Sequence, residues 1–276
     1  MSHLDANSPP LRHEAHGPGA TQFMTLTIVS IVLVAIALVW SLVDARQVGN
    51  AAVWMKPLKF ALSFVVLFGT IALVEQRLSA TVRSGWQLRV TGWVMAAAFL
   101  SEMAYMTHQA ALAQPSHYNI GTEFHLFMYQ VVMAGGAVSL VLGVALIGWI
   151  AQRDPKADLG DGLRAGIFVG FLMTFVLTLI TAGYLSANGG HFVGEHAVGA
   201  PVMPLFGWSG VTGDLRPAHF AALHSMQVLP LLGLWLDHKG SQTPARTVGL
   251  AGILYSCLTF ALFVQALMGL PLISMG

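Results

Sequence analysis

Seven long runs of apolar residues follow one another along the chain, separated by short polar segments. A bilayer core of about 30 Å requires roughly 20 apolar residues in a helix, and each run is about that long. The first run contains no charged residue and no proline. The pattern therefore predicts membrane spans at residues 21–43, 56–74, 90–113, 124–151, 165–187, 217–236 and 247–272.

The apolar runs are continuous and do not alternate between polar and apolar positions. Only a helix or a closed barrel satisfies its backbone hydrogen bonds inside a bilayer, and barrel strands alternate. The sequence therefore predicts an all-α, polytopic membrane protein in which residues 21–276 form a single seven-helix transmembrane bundle. Residues 1–20 contain proline, glycine and three histidines, and we expect them to form a flexible tail.

Composition supports the membrane class and excludes several others. Hydrophobic residues make up 55% of the chain and charged residues 9%, whereas soluble domains carry roughly 25% charged residues. A chain with so few charges cannot cover a water-soluble surface, and its net charge of +1 provides no basic excess for nucleic acid. The single Cys257 excludes an internal disulfide, a covalently attached c-type heme and a cysteine-based metal cluster.

Lysine and arginine are distributed unequally between the two sides of the predicted bundle. Nine of the 13 fall on the side of the N-terminus. The other side holds four, which are Arg46, Lys56, Lys59 and Arg216. Because cytoplasmic loops are enriched in basic residues, we expect the N-terminus in the cytoplasm and the C-terminus outside.

Histidines concentrate on the predicted outer side. Of the 11 in the chain, seven lie in its loops or in the outer third of a span: His108, His117, His125, His191, His196, His219 and His224. Four acidic residues share that side: Glu102, Glu123, Glu195 and Asp214. This distribution predicts a buried His/Glu site near the outer face, covered by the glycine-rich loop at residues 186–216.

Glu102 is the costliest residue of the chain to place in a membrane. A carboxylate in the middle of a span costs about 2.5–3.5 kcal/mol, so it needs a partner, a proton or a cation. At about 100° per residue, Glu102, Tyr105 and His108 fall within an arc of about 120°. We therefore expect these three side chains to face the bundle interior, with Glu102 and Tyr105 as the catalytic pair.

A second face comes from the span at residues 217–236. His219, His224 and Gln227 fall within an arc of about 140° on that helix. The outer cations Lys59 and Arg216 sit at the starts of two spans, where they would bind an anion such as a heme propionate, or a carboxylate or phosphate of a substrate. Snorkelling of both side chains to lipid phosphate is the alternative.

Imidazoles on several helices are typical of heme or transition-metal sites. We expect His108, His125, His219 and His224 to supply the ligands of heme b or of iron, copper or zinc. Lys59, Arg216 and Gln227 would complete the cofactor site. The favoured function is then an inner-membrane redox protein that exchanges electrons with quinol or another small lipophilic substrate. A metal-dependent hydrolase, a proton or metal-ion transporter and a structural role are the alternatives.

Three segments carry a resemblance. They are residues 54–64 (WMKPLKFALSF), 117–133 (HYNIGTEFHLFMYQVVM) and 204–232 (PLFGWSGVTGDLRPAHFAALHSMQVLPLL). In these segments the chain resembles a group of uncharacterised integral membrane proteins of bacteria. The resemblance implies a location in the bacterial cytoplasmic membrane, and it implies no activity, cofactor or substrate.

Overall fold

The computed structural model describes residues 22–49, 51–197 and 199–275. The predicted tail at residues 1–20, with its three histidines, lies outside these ranges. Helices dominate the described residues, and the strands are pairs of residues. The helices are α1 (Gln22–Ser41), α2 (Met55–Arg77), α3 (Ala80–Arg83), α4 (Trp86–Ala111), α5 (Glu123–Phe127), α6 (Ala134–Arg153), α7 (Asp161–Ala187), α8 (Arg216–His238) and α9 (Pro244–Leu267). A π-helical turn, Met128–Met133, joins α5 to α6 without a break.

Six helical segments of the described chain are long and apolar enough to cross a membrane: α1, α2, the continuous segment Glu123–Arg153, α7, α8 and α9. This confirms a helical, multi-pass membrane protein. Helix α4 has 26 residues but is not among the six. It carries Glu102 and several other polar side chains, so the count of seven spans remains a prediction.

Several helices extend beyond one end of the apolar run that predicts them, whereas α1 lies within its run. Helix α7 begins at Asp161, four residues before its run, and α2 continues to Arg77. The start of α7 is capped from a distance, since Asp237 accepts hydrogen bonds from the backbone N–H groups of Gly162 and Leu163, both at 2.8 Å. Hydropathy marks the apolar part of a helix, whereas capping groups decide where the helix ends.

Two helix groups meet through α6. Helix α1 packs along α2, while α7 packs against both α8 and α9. Helix α6 lies between them and contacts α4 on one side and α7 on the other. The backbones of α2 and α8 scarcely approach each other, and a hydrogen bond of 3.1 Å from Gln227 Nε2 to Thr70 Oγ1 bridges them.

The closest helix pair is α7 with α8, where small residues allow backbone contact. Gly162, Gly166 and Gly170 recur every four residues on one face of α7. A Cβ atom on Gly166 would lie 2.5 Å from the carbonyl oxygen of Leu229. In a membrane, where apolar burial gives little driving force between helices, such small-residue faces stabilise packing through close van der Waals contact.

The loop at residues 188–215 is folded rather than open. Strand β3 (Phe192–Val193) pairs antiparallel with β4 (Gly213–Asp214). The carboxylate of Asp214 is buried and accepts a hydrogen bond of 2.9 Å from the backbone of Ser209. Met275 also contacts this loop, because its N–H donates to the carbonyl of Gly210. The loop therefore forms a fixed cover on the end of the bundle where α2 and α8 begin, which we call the loop end.

Candidate functional site at the loop end

Polar side chains of five elements meet near the loop end. Helices α2 and α8 begin there, α4 and α7 end there, and α5 starts there. His224 lies eight residues into α8 and Glu102 nine residues before the end of α4, so both are about 12–13 Å below the helix ends. Seven of the eight described histidines lie on this side of the bundle. The eighth, His238, is the last residue of α8 and lies at the opposite end.

His125 is held against α4. Its Nδ1 lies 3.0 Å from Tyr105 Oη and 3.2 Å from Gln109 Nε2, and Gln109 also donates to Tyr105 Oη. An amide nitrogen only donates, so Nδ1 accepts and the ring proton is on Nε2. Tyr105, which the sequence places in the catalytic pair, therefore contacts a predicted metal ligand directly.

His224 is held towards α2 by a chain of hydrogen bonds. Its Nδ1 lies 3.2 Å from Gln227 Oε1, Gln227 donates to Thr70, and Thr70 donates to the carbonyl of Val66 at 2.7 Å. The carbonyl oxygen of Gln227 only accepts, so Nδ1 of His224 carries the proton. The Nε2 lone pair is then free. The ring also packs 4.1 Å from Phe220, centroid to centroid.

His219 is directed at α7 instead. Its Nδ1 lies 3.4 Å from Thr181 Oγ1, and Thr181 donates its own hydroxyl proton to the carbonyl of Leu177. The hydroxyl oxygen must accept from the ring, so His219 also carries its proton on Nδ1 and presents a lone pair on Nε2. His219 and His224 thus serve different helix interfaces.

His108 departs from the expectation that it faces the interior. It is exposed, whereas Glu102, Tyr105 and Gln109 of the same helix are buried. On a helical wheel Tyr105 and Gln109 lie about 60° and 20° from Glu102, and His108 lies about 120° away on the same side. The buried residues of α4 also include Met103 and Met106, so the packed face is centred between Glu102 and Met106, and His108 lies well outside it.

The structure does not bring the four predicted metal ligands to one point, because His125 faces α4, His219 faces α7, His224 faces α2 and His108 is exposed. Within the described ranges, no group of three or more histidine, cysteine, aspartate or glutamate side chains is arranged to hold a metal ion. Glu123, at the start of α5, is exposed and does not join His125.

Glu102 occupies an apolar interface. It is 4% exposed, and its Oε1 has no hydrogen-bond partner among the described residues. It packs on Gly136 of α6, where a Cβ atom would lie 2.7 Å from Oε1. A buried polar oxygen without a partner costs about 1–3 kcal/mol. This position therefore favours a further group, such as a proton or a ligand atom, that would satisfy the carboxylate.

The π-helical turn Met128–Met133 is a feature that the sequence analysis missed. Such turns are rare and occur often at functional sites. Here the turn carries Tyr129, whose Oη lies 3.1 Å from Ser186 Oγ and whose ring packs 5.2 Å from that of Tyr118. No pattern of apolar positions distinguishes it from an ordinary helical turn.

The surroundings of His117 are a second feature that the sequence did not indicate. Its ring packs 5.8 Å from Phe60 and 6.0 Å from Tyr129. Burial, together with the positive charge of Lys56, lowers the pKa of His117 from 6.5 to about 3. The imidazole is therefore neutral at physiological pH and acts as a hydrogen-bonding group.

The two cations predicted at the rim have different partners. Arg216 binds Asp214 through its guanidinium and also donates to the carbonyl of Gly207 at 2.7 Å. Lys59 Nζ is exposed and lies 3.5 Å from the carbonyl oxygen of Phe206. Both side chains thus contact neighbouring carbonyl groups of the folded loop, and their binding of an anion remains a prediction.

Comparisons of the chain with protein-family models, with curated proteins and with solved structures found no match. The resemblance to bacterial membrane proteins stays a prediction.

Proposed function

We propose that the chain is a redox protein of the bacterial inner membrane. It would span the membrane seven times with its N-terminus in the cytoplasm, bind heme b or another transition metal through imidazoles at the loop end, and exchange electrons with quinol or another small lipophilic substrate. The observation that carries the proposal is that two of the four predicted ligands, His219 and His224, donate Nδ1–H to a neighbouring side chain and present a lone pair on Nε2.

Ligating imidazoles nearly always have their second nitrogen held by a protein group, which fixes the ring orientation and the tautomer. His224 shows this arrangement with Gln227, and His219 shows it with Thr181. Both present an Nε2 lone pair. They lie five residues apart and face different helices, so each would ligate a separate centre or only one of them would ligate.

A heme site requires fewer protein ligands than a hydrolytic metal site. Zinc hydrolases use three protein ligands, whereas a b-type heme requires two axial ligands or one. His224 is the proposed axial ligand from α8. His125 would supply a second imidazole if the Gln109 amide were reversed, because Oε1 would then accept from Nδ1–H and free the lone pair on Nε2.

With the Gln109 amide oriented as in the structure, His125 is better suited to bind the substrate than to ligate a metal. Its Nε2–H is a donor suited to a quinone carbonyl, and Tyr105 and Gln109 hold the ring in place. Oxidation of a quinol releases two protons with its two electrons, and imidazole and carboxylate groups accept protons readily. Glu102, with its unpaired Oε1, is the proposed acceptor of one proton, and the other would pass to water, because Nε2 of His125 already carries a proton.

The absorbance spectrum of the purified protein, expressed with adequate heme and measured with its metal content, tests the proposal. We expect a Soret band that shifts on reduction, and loss of at least about nine-tenths of it in His224→Ala, because that imidazole would be the bond by which α8 holds the iron. His238→Ala, at the opposite end of α8, is the matched control and should leave the spectrum unchanged.

Two results would oppose the redox proposal. One is purified protein with neither a Soret band nor a stoichiometric transition metal. The other is an identical spectrum in His224→Ala and wild type. A stoichiometric metal without a Soret band would favour a non-heme centre at the same histidines.

A further inference from the structure

We propose that Lys56, Lys59 and Arg216 form an anion-binding site at the loop end, which takes the phosphate or carboxylate head group of a membrane-soluble ligand. The site includes Lys56, which the redox proposal does not use, and it would bind its anion with or without a metal centre nearby.

Positive charge is in excess at this rim. Lys59 and Arg216 lie within electrostatic range of each other, and Lys56 and Arg216 both act on His191. Asp214 is the carboxylate in direct contact with these cations, and it is already engaged by the backbone N–H groups of Ser209 and Arg216 as well as by the guanidinium. The carboxylate of Asp214 is thus committed to Arg216, and neither Lys56 nor Lys59 forms an ion pair among the described residues.

Within the part of the chain that the structure describes, Lys56 has no counter-ion. It is half-buried, and it makes no hydrogen bond or ion pair with any described residue. Its charge contributes to keeping His117 and His191 neutral, because it lowers the pKa of both imidazoles after the larger effect of burial. A half-buried ammonium group without an anion is costly, so a bound anion would relieve it.

The backbone adds to the same field. Helix α2 begins at Met55 and α8 at Arg216, and neither has a side-chain hydrogen bond from its N-cap residue, Trp54 or Leu215. Helix N-termini carry a partial positive charge and unpaired N–H groups, and they attract anions. At α8 the Arg216 N–H already donates to Asp214, so the terminus of α2, with Lys56 and Lys59 in its first turns, is the one left to attract an anion.

An orphaned imidazole atom lies at the same place. His196 stacks on Phe192 with ring centroids 4.0 Å apart, and the guanidinium carbon of Arg216 lies 5.3 Å from the centroid of that phenylalanine. Nε2 of His196 is buried and has no hydrogen-bond partner among the described residues. The stacking on Phe192 places this atom beside Arg216.

The lipophilic part of the ligand has an aromatic surface beside the cations. Phe206 stacks on Trp208 at 4.5 Å, and both pack on Phe220 of α8 at less than 6 Å. Phe206 and Phe220 remain 39% and 42% exposed. Since Lys59 donates to the carbonyl of Phe206, the apolar and cationic surfaces are continuous.

Binding to the purified protein in a neutral detergent tests the site. The thermal unfolding midpoint is titrated with dioctanoyl phosphatidic acid, dioctanoyl phosphatidylcholine and inorganic phosphate, with sodium chloride at matched ionic strength. We expect a saturable rise with phosphatidic acid that phosphatidylcholine and sodium chloride do not reproduce. A rise with inorganic phosphate as well would identify a free anion as sufficient, and a rise with phosphatidic acid alone would identify a lipid head group.

Lys56→Gln should weaken the binding at least about tenfold, since charge-assisted hydrogen bonds contribute strongly. Lys56→Arg keeps the charge and should retain binding, which distinguishes a lost anion contact from a folding defect. Lys239→Gln, at the opposite end of α8, is the control. Equal affinity in Lys56→Gln and wild type, or no saturable response to any anion, would overturn the proposal. The absorbance spectrum judges the redox proposal separately, since affinity for these probes does not require a metal.

Discussion

At the scale of single residues, the loop end places imidazole side chains close to positively charged side chains. His117 is surrounded by Phe60, Tyr129 and the charge of Lys56, so its protonated form is disfavoured in the folded chain. The pKa of His191 is also lowered, first by burial and then by Arg216, with Asp214 opposing the shift. A neutral imidazole in a cationic pocket can donate and accept hydrogen bonds without adding to the repulsion.

The setting of His117 predicts a dependence of stability on pH. The pKa of His117 is about 3 in the folded protein and near 6.5 in the unfolded chain. Between these pH values the unfolded chain binds a proton at His117 that the folded chain does not bind. The stabilisation is complete above pH 6.5 and is lost as the pH falls towards 3. Between pH 7.5 and 5 we expect His117 to cost about 2 kcal/mol of folding free energy.

Detergent unfolding curves of wild type and His117→Gln at the two pH values measure this. The variant should lose about 2 kcal/mol less than wild type over that interval. His108→Gln, whose side chain is exposed, should lose as much as wild type. An equal loss in wild type and His117→Gln would contradict the lowered pKa.

At the scale of elements, the interface of α7 with α8 depends on glycine. The face formed by Gly162, Gly166 and Gly170 allows the backbone of α8 to approach closely. One turn further along α7, the side-chain oxygens Thr174 Oγ1 and Ser225 Oγ lie 2.8 Å apart. This tight pair fixes where α8 presents His219 and His224. A change in the spacing of these two helices would therefore move both histidines.

Gly166→Ala tests that dependence. The added Cβ would meet the Leu229 carbonyl and Pro230 Cα at 2.5 and 2.7 Å, which are backbone atoms that cannot rotate away. We expect a loss of about 1–3 kcal/mol in unfolding free energy from this overpacking. Gly183→Ala on the same helix meets nothing within 4 Å and should be neutral or stabilising by up to about 1 kcal/mol. Equal effects of the two variants would contradict the close approach.

At the scale of the whole molecule, the topology depends on α4. Six helical segments of the described chain are apolar enough to span, and α4 is less apolar. Its length of 26 residues corresponds to about 39 Å, which exceeds the hydrocarbon core. If α4 crosses, the loops before and after it lie on opposite sides of the membrane, and the distribution of basic residues places the loop end outside.

Cysteine labelling in intact cells decides this point. In a Cys257→Ser background, Ser84→Cys precedes α4 and Gln114→Cys follows it, and both positions are exposed. We expect a membrane-impermeant maleimide to label Gln114→Cys at once and Ser84→Cys only after permeabilisation. Labelling of both cysteines from the same side would show that α4 does not cross and would place the predicted site elsewhere.

The sequence by itself determined the class of the protein, because the length and apolarity of its runs depend on composition alone. It also determined that seven of the histidines gather at one end, together with the minority of the cations, since position along successive helices fixes depth. It placed helix ends only within a few residues, because distant caps such as Asp237 on α7 leave no local signal.

Only the tertiary structure decided which way each polar side chain points. A helical arc of 120° admits several faces, and the packing of α4 on α6 buried Glu102 and excluded His108. Likewise, the closeness of α7 to α8 and the gap between α8 and α2 directed His219 and His224 to different neighbours. Orientation about a helix axis depends on contacts between segments far apart in the chain, and no periodicity within one segment specifies them.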